Sequence, residues 1–131
     1  MPSITIEIRK RYDREVESAL MQAVHEVMVE AFKVSPRHRN VTLVVHEPHR
    51  FIGRTDCPAP DCLTNVSIFL LPGRSTAAKR RLYAGLAERL EGFGIPRRCL
   101  LVKIHELPAE NFGVRGGQAL CDVELGYPVD V

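Results

Sequence analysis

Apolar and polar positions alternate at the start of the chain, where Ile4, Ile6 and Ile8 are separated by Thr5 and Glu7. That period of two predicts a half-buried strand. Asp13 follows as a candidate helix cap. Beyond it Val16, Ala19, Leu20, Ala23, Val24, Val27, Met28, Ala31 and Phe32 recur at helical spacing. Ser35-Pro36 stops that helix. Val41 to Val45 is a second strand, and its unbroken apolar composition predicts burial on both faces.

The order then repeats. Val66 to Leu71 reads as a strand, and Gly73-Arg74-Ser75 leads into a helix with Ser75 placed to cap it. Ala78, Leu82, Leu86 and Leu90 form its apolar stripe, widened by Tyr83 and Ala87. Gly92 and Gly94 end it, Pro96 prevents a restart, and Cys99 to Ile104 is the next strand. His46-Glu47-Pro48 closes the first unit and His105-Glu106-Leu107 the second. The chain therefore reads as one domain over 1–131, built of two pseudo-repeats at about 2–62 and 64–131. A strand joined through a helix to its neighbour forms a parallel pair. The expectation is an α/β (α+β) fold: a tandem β-α-β repeat giving a four-stranded sheet with two helices on one face. The other face is expected to be uncovered and apolar, which calls for an oligomer. In the tail from Val114 to Val131, Val123, Leu125, Val129 and Val131 alternate as in short strands that lock subunits together.

Composition narrows the class. Of 131 residues, 45% are hydrophobic and 26% charged, as in an ordinary globular protein. A net charge of +2 is too small to call for a polyanionic partner. Basic clusters at Arg9-Lys10-Arg11, Arg37-His38-Arg39, Lys79-Arg80-Arg81 and Arg97-Arg98 have no accompanying aromatic stripe. Carboxylates at Glu7, Asp13, Glu15 and Glu17 intersperse them. They read as solvated faces rather than a nucleic-acid surface. No apolar run reaches membrane-spanning length, and charges at Glu7 to Arg11 argue against a signal peptide. The expected compartment is the cytoplasm, where thiols stay reduced. Cys57 and Cys62 flank Pro-Ala-Pro-Asp at a spacing wider than a zinc knuckle. They read as incidental thiols of an insertion loop, with metal or redox work as the alternative; Cys99 and Cys121 are the other two cysteines.

Three segments carry chemistry. Met1-Pro2 precedes the first alternating strand, Leu71-Pro72-Gly73-Arg74-Ser75 opens the second helix, and Asn111-Phe112-Gly113-Val114-Arg115-Gly116-Gly117 follows the last strand. Removal of Met1 would expose a secondary amine at Pro2, and an apolar pocket or a nearby cation lowers the pKa of such an amine. It then becomes a base suited to neutral pH. Arg74, at a helix start, can grip a carboxylate with two parallel hydrogen bonds, assisted by helix N–H groups. The plainer readings are an accidental Pro2 and a solvated Arg74.

In this order, and with the internal repeat, the segments resemble the tautomerase superfamily in its fused-repeat, 4-oxalocrotonate tautomerase-like form. The resemblance covers almost the whole chain. It implies that Pro2 is the catalytic base, that Arg74 binds the substrate carboxylate, and that Phe112 lines the pocket. It also implies a homotrimer acting on a small carboxylate substrate, with no metal and no other cofactor. Thr42 and Leu101 stand where the family carries a second arginine, and Tyr12 stands where the first copy would supply its own. Lys103 is the candidate replacement electrophile, and Arg11 a candidate at a subunit boundary. His38 falls near an acidic position used by some members. The implied activity is enol–keto isomerisation of small 2-oxo acids. Lyase chemistry (decarboxylation or hydration of small 3-oxo or unsaturated acids) is the alternative, and a non-enzymatic oligomeric binding protein is the third reading.

Overall fold

A computed structural model describes residues 2–126 and 128–131. Its main elements are β1 (Ser3–Ile8), α1 (Arg14–Phe32), β2 (Val41–Val45), β3 (Thr64–Leu70), α2 (Thr76–Glu91) and β4 (Leu100–Glu106). They form one sheet in the order β2-β1-β3-β4. β1 runs parallel to β2, and β3 parallel to β4. The two β-α-β units meet through an antiparallel ladder that sets Ser3 against Phe69 and Ile8 against Thr64.

Ile4, Ile6 and Ile8 on β1 and Val66, Ile68 and Leu70 on β3 point to the helix side and are buried. Leu20, Val24, Met28 and Phe32 of α1 and Leu82, Leu86 and Leu90 of α2 close over them in a single core. The two helices approach closely at Gly85, where an added Cβ would lie 2.9 Å from Val27 Cγ1. Tyr83, expected on the apolar stripe of α2, is instead 39% exposed. Ser75 caps α2 as its position predicts, its Oγ accepting from the Ala78 N–H at 3.1 Å. Asp13 occupies the same place before α1 but makes no side-chain cap bond. Glu15 and Glu17 still complement the helix dipole there. No described helix is long and apolar enough to cross a membrane.

Four expectations are corrected. β2 is an edge strand, so none of its five residues is buried in the single chain despite their apolar composition. The open face of the sheet is uncovered but not broadly apolar. Ser3, Thr5 and Glu7 line up there with Asn65, Ser67 and Lys103, and only Val44, Phe69 and Leu101 are apolar. The tail forms no strand at Val123–Val131 among the described residues. Its pairing lies earlier, in a hairpin of β5 (Gly113–Val114) and β6 (Gln118–Ala119). Finally, the cysteines are not all free, because Cys57 and Cys99 are joined by a disulfide across 42 residues. This bond, with Phe51 buried in the core, ties the long β2–β3 connection to the start of β4. Cys62 and Cys121 remain free thiols.

Thiol titration of protein unfolded without reductant should therefore count two thiols per chain, and four after reduction. A count of four before reduction would remove the Cys57–Cys99 link.

Candidate active site

The antiparallel ladder decides which groups can meet. Ser3 pairs with Phe69, so Pro2 is carried to the end of β3, where Leu71 opens the turn into α2. Pro2 is buried there. On its other side the Ile4 N–H donates to the Asn40 carbonyl at 2.9 Å, so the segment 38–40 leading into β2 flanks the same end. The start of the first unit thus lies beside the first turn of the second unit's helix.

Gly73 makes that turn with φ 126°, a conformation that L side chains rarely adopt. Arg74 folds back into the protein and is only 5% exposed. Its Nη1 donates to the Leu71 carbonyl at 3.0 Å, and its guanidinium carbon lies 5.5 Å from the centre of the Phe32 ring. The arginine is thus held by a backbone carbonyl and an aromatic face, not solvated. Behind it the Ser75 N–H at the start of α2 donates to the Val131 oxygen at 2.9 Å. The backbone of Val129 passes over Gly73, its oxygen 3.0 Å from where a Cβ would stand.

His38 is half-buried, and its pKa lies below the ordinary histidine value of 6.5. Burial is the main cause, followed by the positive charges of the amino terminus and of Arg115. Arg115 sits in the β5–β6 hairpin with φ 49°, and its Nη2 donates to the Glu124 carbonyl at 3.4 Å. Arg115 is the residue that sequence reasoning passed over. The signal was there: a cation interrupts a segment otherwise built of Phe, Val and glycines.

Phe112 is half-buried at the base of that hairpin, its carbonyl accepting from the Leu120 N–H at 2.9 Å. Lys103 lies on the open face of the sheet, opposite Ser67, whereas Arg74 is buried among helix-side residues. One chain does not bring the two together. His105 is closer to the Pro2 end and stacks on Phe69 at 4.4 Å. Arg11 follows the far end of β1 and pairs with Glu47 at 3.4 Å. It borders a cavity of about 380 Å³ with Arg9, His46 and Asp61. There Arg9 pairs with Asp61 and His46 with Glu7, so the basic residues are largely compensated. Tyr12, at the position equivalent to Arg74, is also at this end. Burial first, and then the electrostatic influence of Cys62, raise its pKa. Thr42 and Leu101 both lie on the open face. Among the described residues, no three His, Cys, Asp or Glu side chains are grouped to hold a metal ion.

A family model described as "Tautomerase enzyme" matches residues 38–115. The chain belongs to the tautomerase family. The matched span runs from His38 through Arg74 and Phe112 to Arg115. Several solved structures share this tautomerase fold. A malonate semialdehyde decarboxylase inhibited by 3-bromopropiolate is 25% identical, with a TM-score of 0.81 over 89% of this chain and 92% of its own. A second malonate semialdehyde decarboxylase, described with decarboxylase and hydratase activities, is 21% identical. Its TM-score is 0.80, over 89% of this chain and 93% of its own. A fused 4-OT, described as an asymmetric trimer, is 21% identical with a TM-score of 0.79, over 92% of this chain and 97% of its own. Among curated proteins no sequence matches.

The low pKa of His38 has a testable sign. The fold disfavours the protonated ring, so its contribution to stability is complete above about pH 6.5 and declines as the pH falls below that value. In an NMR titration His38 should protonate below the ordinary range. Arg115→Gln should move its midpoint part of the way back up, the burial remaining. An unchanged midpoint would separate Arg115 from this cluster.

Proposed function

We propose that the chain, freed of Met1, is a tautomerase that interconverts enol and keto forms of small 2-oxo acids, with Pro2 as the base. The observation that carries this reading is the burial of Pro2 beside the turn that holds Arg74. A solvated secondary amine is protonated at neutral pH, but a buried one beside cations is more easily neutral. The neutral nitrogen takes the proton of the enol hydroxyl and returns one to the neighbouring carbon, leaving the ketone. The proline ring fixes the direction of its lone pair. Arg74 holds the substrate carboxylate through the edge of its guanidinium. Phe112 closes the pocket against water. Arg115, whose charge acts on His38, is the cation that stabilises charge developing on the enolate oxygen.

That assignment gives the missing second family arginine a replacement from the hairpin. Lys103, on the open face, and Arg11, paired with Glu47 at the far end, are then not needed for that role. Decarboxylation is the second reading, favoured by the similarity to a malonate semialdehyde decarboxylase at 25% identity. Both reactions pass through an enolate that takes a proton at carbon, but in decarboxylation the carboxylate held by Arg74 is the group that leaves, as CO2. The substrate decides between them.

Phenylenolpyruvate ketonisation, set against malonate semialdehyde decarboxylation, tests the choice directly. Pro2→Ala should lower kcat about 10²–10⁴-fold, the range for losing a positioned acid–base group. Arg74→Lys keeps the charge but loses the fork, and should raise KM about tenfold with a smaller change in kcat. A form retaining Met1 has an amide at Pro2 and should be inactive. Full activity in that form would end the proline mechanism.

The same reading includes a homotrimer. Its support in the single chain is not a broad apolar face but local exposure. Ile52 is 90% exposed and Leu101 39%, both lining a cavity of about 330 Å³ with Phe51 and Leu63. β2 also leaves an unpaired edge. Light scattering should give three times the chain mass at micromolar concentration, and a stable monomer would refute it.

A further inference from the structure

The turn that carries Arg74 is crossed by this chain's own tail. The Ser75 N–H is one of the free donors at the start of α2, and such donors are natural partners for a carboxylate oxygen. Here that donor is taken by the Val131 oxygen at 2.9 Å. Val129 crosses Gly73 so closely that its oxygen fills the space a Cβ would need, 3.0 Å away. Val131 packs against the hydrophobic core, which holds the crossing in place. Arg74, the residue between Gly73 and Ser75 in the chain, is 5% exposed, its guanidinium held by the Leu71 carbonyl and the Phe32 ring. An oxygen of the tail therefore stands on the donor that an incoming carboxylate would use, and the tail backbone roofs the turn.

We propose that Val129–Val131 form a displaceable strap over the Gly73-Arg74-Ser75 turn, competing with the substrate carboxylate for the Ser75 N–H and for access to Arg74. This rests on the reading of Arg74 as the carboxylate anchor. The strap makes the site selective for ligands whose carboxylate binds well enough to displace it. The competing group is a single backbone-held oxygen, so one hydrogen bond and a small apolar contact oppose binding. The expected penalty on affinity is about three- to tenfold.

The test uses NMR on the labelled full chain titrated with phenylpyruvate, a keto acid that needs no turnover. The Ser75 amide should shift, while the amides of Val129, Asp130 and Val131 move towards random-coil positions with the same midpoint. A chain lacking residues 128–131 should bind phenylpyruvate about three- to tenfold more tightly. Val131→Gly, which loosens the strap without shortening the chain, should fall between the two and serves where the shortened chain does not fold. The strap is overturned if the tail signals stay in place while Ser75 saturates. It is equally overturned if loosening or removing the tail leaves affinity unchanged, or if neither chain binds the keto acid. Tail release by phenylpyruvate without any ketonisation of phenylenolpyruvate would leave the strap standing and reject the tautomerase reading alone.

Discussion

The antiparallel ladder between β1 and β3 is the constraint on which the rest of the molecule depends. Each β-α-β unit makes its own parallel pair and could place its own strand ends. Only the pairing of Ser3 with Phe69 brings the start of one unit to the helix-opening turn of the other. A slip of one residue would exchange the two faces, sending Ile4, Ile6 and Ile8 to the open side and Thr5 and Glu7 into the core. The buried isoleucines therefore fix the register. The register in turn fixes Pro2 beside the turn of Arg74. Core packing and candidate chemistry are two results of one alternation.

Much of this was legible along the chain, because it follows from local rules. The alternation at Ile4 to Ile8, the stripes of both helices and the Ser75 cap depend on neighbours a few residues away. Pairing partners more than about twenty residues apart do not announce themselves. Val41 to Val45 has the composition of a central strand, yet it lies at the edge, and composition carries no information about sheet order. Cys57 and Cys99 are 42 residues apart, and neither lies in a pattern that names the other. The polarity of the open face could have been read from Thr5, Glu7, Asn65, Ser67 and Lys103, which share one face once the register is known.

The candidate site divides in the same way. Pro2, Arg74 and Phe112 stood out through short motifs whose mechanics are local. The influence of Arg115 on His38 joins residues far apart in the chain, and the crossing of Gly73 by Val129 needs the tail to return there. Neither has a sequence period to reveal it. Arg74 shows the limit of motif reading most clearly. Its position at a helix start was legible, but its burial beneath Phe32 was not, since that ring belongs to the other unit.

The two ends of the sheet are related positions in a duplicated plan. Pro2 before β1 corresponds to Leu63 before β3, and Tyr12 before α1 corresponds to Arg74 before α2. If the two units were separate identical chains, a substitution at either position would appear at both ends together. Covalent fusion removes that symmetry. One end can keep a proline and an arginine while the other carries a leucine, a tyrosine and a disulfide-tied loop. Each end is then free to vary under its own demands, and a change that improves packing at one costs nothing in chemistry at the other.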